Sequence, residues 1–335
     1  MSTELVLGGV LVAAFVLYAL FGGADFGGGV WDLLASGPRK AEQRALIARA
    51  LGPVWEVNHV WLIIGVVVLF AAFPRAFAAL SVALHVPLTL LLLGIVFRGT
   101  AFTFRTYDAR GDVVQRRWGL VFSVASVLSP ALLGMCVGAV VGGLIRVEGR
   151  LVTGGFFRPW LTPFALAVGA LALCLFAFLA AVYLSAEARE PALREDFRRR
   201  ALGAGVAVFV AAFGVLGLAR GGAPRVWAGL TQSPFALGLH GATAVAAGVA
   251  FALLLTRRFG LARVAAAGQV ALIVMGWAVS QYPYLVVPDL TLQGTAASPA
   301  TQRLLLGALA VGAVLILPSL VLLLRIFQRP APSAP

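Results

Sequence analysis

The sequence predicts an all-α polytopic membrane protein of about nine transmembrane helices, arranged as two four-helix bundles plus one peripheral helix. Three observations carry that reading. Of 335 residues, 61% are hydrophobic and only 12% charged, whereas a water-soluble domain holds about 25% charged residues; the mean hydropathy is +0.98. Apolar runs recur along the whole chain, and a helix needs about 20 such residues to cross a bilayer. Basic residues collect in alternate loops, the signature of a fixed orientation. A water-soluble globule is excluded.

The runs place candidate helices near residues 5–23, 53–73, 77–97, 119–144, 160–186, 201–219, 236–256, 262–282 and 304–326. The first leads into the glycine-rich segment Gly22–Gly29 and has no basic leader, so it reads as a retained span and not a cleaved signal peptide. The second has a purely apolar part, Val60–Phe73, of 14 residues. That is about 21 Å of helix against a core of ~30 Å. The span therefore extends back to Pro53, a natural first-turn residue, and takes Glu56, Asn58 and His59 inside. Ser129-Pro130 in the fourth run and Thr162-Pro163 in the fifth are kink or helix-start devices. Short arginine-rich loops separate the remaining spans. The chain thus forms a single integral membrane domain over residues 1–329 with a Pro/Ala-rich cytoplasmic tail over 330–335. It shows no evident internal repeat.

The 26 lysines and arginines divide unequally between the two sets of loops, 19 against 7. The richer set begins with Arg39, Lys40, Arg44 and Arg49, which puts the N-terminus on the periplasmic side and the C-terminus in the cytoplasm. An odd number of spans demands the same. The net charge of +13 is accordingly a topology signal with anionic lipid as its partner, and nucleic acid is not implied. Cys136 and Cys174 stand in separate apolar runs without metal-ligand or disulfide spacing and read as packing residues.

The polar residues inside the spans carry the chemistry. A carboxylate in a transmembrane helix costs at least ~2.5 kcal/mol on insertion scales, so Glu56 either faces protein or a water cavity and is functional, or snorkels to the interface from a slightly shorter, mismatched helix. His59 shares its helix face and Asn58 turns toward a neighbour. Trp55 fits an interfacial aromatic belt; Trp61 lies about 10 Å deeper and packs against either another helix or a flat ligand. Asp25, in the glycine-rich turn ending the first helix, belongs to the same cytoplasmic third as Glu56. It is either the second acid of a proton entry path or a capping group of that turn. Arg98, at the cytoplasmic end of the third helix, is either a snorkelling flank or the anchor of an anionic headgroup or carboxylate. His85 and His240 match only poorly in depth as a heme pair and read as hydrogen-bonded packing residues, so no metal site is expected.

At Ala24-Asp25-Phe26-Gly27-Gly28-Gly29, Trp55-Glu56-Val57-Asn58-His59-Val60-Trp61-Leu62-Ile63 and Phe97-Arg98, the sequence resembles subunit II of the cytochrome bd-type quinol oxidases, including their cyanide-insensitive branch. Weaker likeness continues through Gly154-Gly155-Phe156-Phe157, Pro163-Phe164 and the stretch from Tyr282-Pro283 to Leu292. The resemblance implies nine helices in the bacterial inner membrane and a tight heterodimer with a structurally similar subunit I. Small single-helix accessory subunits are further implied partners. The implied complex oxidises quinol on the outer side and reduces O2 to water with protons from the cytoplasm, generating proton motive force. Heme b and heme d, or a further heme b, then belong to subunit I. The second subunit lends stability, part of a proton route and, in some members, an O2 passage or a structural quinone. By position, Glu56 matches the intramembrane acid of that route and Asp25 the acid of the glycine-rich turn. Some members carry Asp where Glu56 stands and Gln where His59 stands.

Two other classes accommodate an acid pair in a helical bundle. One is a stand-alone proton-coupled transporter, against which the sequence shows neither an inverted repeat nor paired broken helices. The other is a purely structural assembly partner.

Overall fold

The computed structural model describes residues 2–107, 112–149 and 151–327, without the side chains of residues 51–56, 105–107, 112–116, 321 and 323–327. Helix α1 (Thr3–Leu33) does not stop at the glycines but carries them in its last turns. Glycine inside a helix costs roughly 1 kcal/mol relative to alanine. Close packing offsets that cost here. A Cβ on Gly27 would lie 2.0 Å from the Phe176 carbonyl oxygen, and one on Gly29 2.1 Å from Ser126 Oγ. The expected turn at Asp25 is therefore replaced by continuous helix, and the capping role falls with it.

Helix α2 (Lys40–Ala72) begins well before the apolar run, which makes Pro53 an interior residue and not its first turn. It breaks at Phe73 into α3 (Pro74–Ala83), bent by 116° from the preceding segment. Ten residues reach only about 15 Å, too short to cross. The third span is thus α4 (His85–Tyr107), displaced toward the C-terminus from the expected 77–97. Helix α5 (Asp112–Val141), with Pro130 inside it, leads to an antiparallel hairpin of β1 (Arg146–Glu148) and β2 (Leu151–Thr153).

The second half repeats the pattern. Helix α6 (Pro163–Glu187) starts where the Thr162 hydroxyl accepts from the Ala165 N–H at 3.1 Å. Then come α7 (Pro191–Gly222), short α8 (Pro224–Thr231), α9 (Ala236–Leu255) and α10 (Phe259–Gln281). A hairpin of β3 (Tyr284–Val286) and β4 (Leu290–Thr291), the single turn α11 (Leu292–Thr295) and α12 (Pro299–Phe327) complete the chain. Among the described residues eight helices are long and apolar enough to cross a membrane, or nine with the bent pair counted as one span.

Although the sequence shows no evident repeat, the backbone does. The breaks Phe73-Pro74-Arg75 and Ala223-Pro224-Arg225 share a conformation, with φ/ψ of −132°/57° at Phe73 and −153°/68° at Ala223. Each unit then runs a short helix, two long helices and a hairpin. Helices α1, α2, α4 and α5 form one group, and α6, α7, α9 and α10 the other; α1 packs on α6 between them while α12 lies against α2. Paired broken helices, which the sequence does not announce, are present, but four crossings per unit make the units parallel and not inverted. Both breaks are latched in the same way: Arg75 donates to the Gly294 carbonyl and Arg225 to that of Tyr282, each at 3.3 Å.

Candidate functional site

The core of the site is a buried ion pair. Arg98 projects from α4 and Asp25 from α1, with side chains 2% and 0% exposed. The guanidinium grips both carboxylate oxygens, at 2.8 and 2.5 Å, and donates to the Asp25 carbonyl oxygen at 2.9 Å. Its Nε donates to Ser126 Oγ at 2.9 Å, and that hydroxyl donates to the Phe122 carbonyl at 2.7 Å. The rings of Phe26 and Phe122 lie 4.8 and 4.9 Å from the guanidinium carbon. Two-point charge pairing with aromatic faces is what lets an arginine exist so far from water.

Arg98 is therefore not a snorkelling flank at a helix end. It stands thirteen residues into α4, about 20 Å from the start of that helix. Of the expected alternatives, the carboxylate anchor is the one realised. The third-span boundary hid this, because starting the helix at 77 pushes Arg98 past its end.

Seven residues, or two turns, beyond Asp25 on the same face of α1 lies Asp32, 1% exposed. Ser123 Oγ on α5 donates to it at 3.1 Å, and Arg44 on α2 donates to its carbonyl oxygen at 3.2 and 3.3 Å. Asp32 was not among the sequence candidates; its spacing to Asp25, with Gly29 between them, is the signal that marks it. Asp25, Gly29 and Asp32 make one face of α1 that packs on Phe122, Ser123 and Ser126. Buried polar groups thus run from Arg44, 37% exposed at the arginine-rich end, inward to Asp25.

One turn further in, the Asn58 side chain is fully buried against Gly22, whose added Cβ would sit 3.1 Å from the amide oxygen. Among the described residues neither of its amide atoms has a hydrogen-bond partner, nor does the sealed indole N–H of Trp61. His59 is half-buried. The contact of Gly22 with Asn58 fixes the α1–α2 register, so the backbone of Glu56 lies near the level of Asp25. The side chains of Glu56 and Trp55 lie outside the described residues.

The remaining histidines point elsewhere. His85 is the first residue of α4, its Nδ1 2.9 Å from the Val82 carbonyl oxygen and its ring edge-on to Phe156. His240 sits in the other unit with Nε2 2.8 Å from the Leu230 carbonyl oxygen. No group of three or more metal-ligating side chains occurs among the described residues. At the hairpin end, Arg146 grips Asp289 at 2.8 and 3.2 Å while the Val147 N–H donates to the same carboxylate. The Arg146 guanidinium holds the Asp289 carboxyl below its usual range.

Residues 3–327 match the family described as cytochrome bd terminal oxidase subunit II. The chain belongs to that family. It is 24% identical over 339 residues to the putative cytochrome bd menaquinol oxidase subunit II of Bacillus subtilis (strain 168), covering 98% of this chain and 96% of that one. It is 29% identical over 184 residues to the cytochrome bd-I ubiquinol oxidase subunit 2 of Escherichia coli (strain K12), covering 52% and 46%. The fold is that of a chain in the structure of bd oxidase from Geobacillus thermodenitrificans, with a TM-score of 0.83, 24% identity and coverage of 98% and 99%. Membership makes the chain a subunit of a membrane-bound oxidoreductase complex and implies a subunit I partner.

Proposed function

We propose that this chain is the non-heme subunit of a bd-type quinol oxidase of the bacterial inner membrane, with its N-terminus periplasmic and its C-terminus cytoplasmic. The complex oxidises quinol and reduces O2 to water. This chain braces subunit I and lends one route by which cytoplasmic protons reach the chemistry. Subunit I's hemes b and d, or a further heme b, supply the electron transfer when bound. The residues of this chain position and pass protons: Glu56 and Asp25 are the acids of the route, and Trp55, Asn58, His59, Trp61 and Arg98 line it or the subunit interface.

One observation carries the reading: the buried polar groups from Arg44 through Asp32 and Ser123 to Asp25 and Arg98 start at the arginine-rich end. That end is cytoplasmic by charge placement, where the substrate protons originate. Within the route the roles divide. Both oxygens of Asp25 are engaged by one guanidinium, so Asp25 sets the field and holds α1 to α4, while Glu56 carries the proton. The test is Glu56→Gln in the purified heterodimer. The expected complex is assembled and heme-replete by its optical spectrum, with O2 reduction slowed on the order of tenfold or more. Unchanged turnover removes the proton role and leaves a structural subunit.

A further inference from the structure

One backbone conformation in the chain is out of place. Arg257 has φ 59°, making it the one non-glycine residue of positive φ among the described residues. It ends α9 in a pattern where the Arg258 N–H reaches back to the Leu253 carbonyl at 2.8 Å. Glycine is the usual occupant of that position because a side chain there is strained. A strained residue that glycine would relieve is held for its side chain.

That side chain joins a cluster. Arg198 grips Glu195 at 2.8 and 2.7 Å, Arg199 reaches the same carboxylate at 3.2 Å, and Arg257 stands 3.7 Å from it. Three guanidinium groups converge on one carboxylate, an excess of two positive charges. The neighbouring acids are committed elsewhere, Asp196 to Arg39 and Glu187 to Arg263. Arg199 and Arg257 remain 77% and 71% exposed, and Arg258 is exposed beside them. The cluster sits immediately before the apolar run of α7, the place in a spanning helix where flanking arginines meet headgroups. From Arg199 the same face of α7 continues through Gly203, Val206, Val210 and Phe213 at helical spacing. Val206, Val210 and Phe213 are exposed by 55%, 65% and 61%.

The geometry points to a bound anionic phospholipid at this corner, its phosphate between Arg199 and Arg257 and an acyl chain along the Val206–Phe213 face of α7. Phosphate takes planar guanidinium groups in pairs, and the exposed apolar stripe below them matches a lipid tail and not a free anion. The inference needs only that these helices cross a bilayer and is independent of the proton route.

The test is lipid retention by the purified heterodimer, measured by native mass spectrometry after extraction from phosphatidylcholine nanodiscs doped with phosphatidylglycerol. Wild type is expected to retain phosphatidylglycerol in preference to phosphatidylcholine. Arg257→Gly, which relieves the strain, is expected to keep the thermal midpoint or raise it while weakening retention about fivefold. Arg199→Gln is expected to weaken it by a similar factor, and both together multiplicatively. Arg189→Gln, an exposed charge on the same side of the molecule, is the control and is expected to leave retention unchanged. Equal loss in that control reduces the effect to a diffuse field and overturns the site. Retention unaltered by Arg257→Gly and Arg199→Gln overturns it also. Displacement of the lipid by millimolar inorganic phosphate identifies an anion site without lipid preference, which overturns it too.

Discussion

The two repeated units share a helix order and a proline break yet differ in what they bury. The interior of the first holds Asp25, Asp32, Asn58, Arg98, Ser123, Ser126 and Ser129. The second buries Ser185, Gln269, Ser280 and Gln281, with no buried charge. Its long helices α7 and α9 carry glycines, such as Gly217 and Gly241, with nothing within reach of an added Cβ, whereas Gly27 and Gly29 of α1 touch backbone or side chain directly. One scaffold thus serves two ends. The first unit holds paired ions in a low-dielectric interior, and the second lines its interior with apolar and uncharged polar side chains.

The largest test of that contrast is Arg98→Leu, which strands Asp25 in the interior. Removing one partner of a buried pair costs about 3–5 kcal/mol, so loss of assembled complex is expected on size-exclusion chromatography of the solubilised heterodimer. Normal assembly would mean that the charged interior is dispensable. Next comes Gly27→Ala, whose methyl meets the Phe176 carbonyl. Overpacking of this kind costs about 1–3 kcal/mol, against a change within about 0.5 kcal/mol for Gly217→Ala. Thermal midpoints measured side by side sharpen or erase the difference between units. The smallest effect belongs to Asp289, which ties the hairpin of the second unit to that of the first. Its folded-state carboxyl titrates below the usual 3.8, so its stabilisation is full above that value and disappears as pH falls through the lower one. Asp289→Asn should flatten this acid limb in a pH series of thermal midpoints, modestly because Arg146 is half exposed.

Much of the fold was legible in apolar length alone, since a bilayer forces helices wherever twenty apolar residues run together. The starts of α9 and α10 fall within a few residues of the expected ones. What escaped was set by tertiary contact. The glycines of α1 look like a helix terminator, and only the approach of α5 and α6 explains why the helix continues. The Pro74 break looks like the start of a span, and only the 116° bend shows that it turns aside, which moved Arg98 from a helix end into the interior. Asp25 and Arg98 were both legible as unusual residues in lipid. Their union was not, because nothing in a sequence separation of 73 residues announces a contact. Asp32 was missed for a simpler reason: at the margin of the apolar run it resembles an ordinary flanking charge, and its burial follows from the length of α1. The parallel repeat escaped because the likeness at the break is short, Pro-Arg followed by an aromatic residue, Ala and Leu (Phe77, Ala78 and Leu80 against Trp227, Ala228 and Leu230), and the apolar residues around it interchange freely.

The Asp25–Arg98 pair also imposes a chronology on biogenesis. The carboxylate leaves the ribosome 73 residues ahead of its guanidinium, an interval of about 4–15 s at typical bacterial elongation rates. For that interval Asp25 is without the guanidinium that pairs with it in the folded chain. The salt bridge can close only once α4 has been made and has packed on α1, so this part of the interior is completed no earlier than the synthesis of α4.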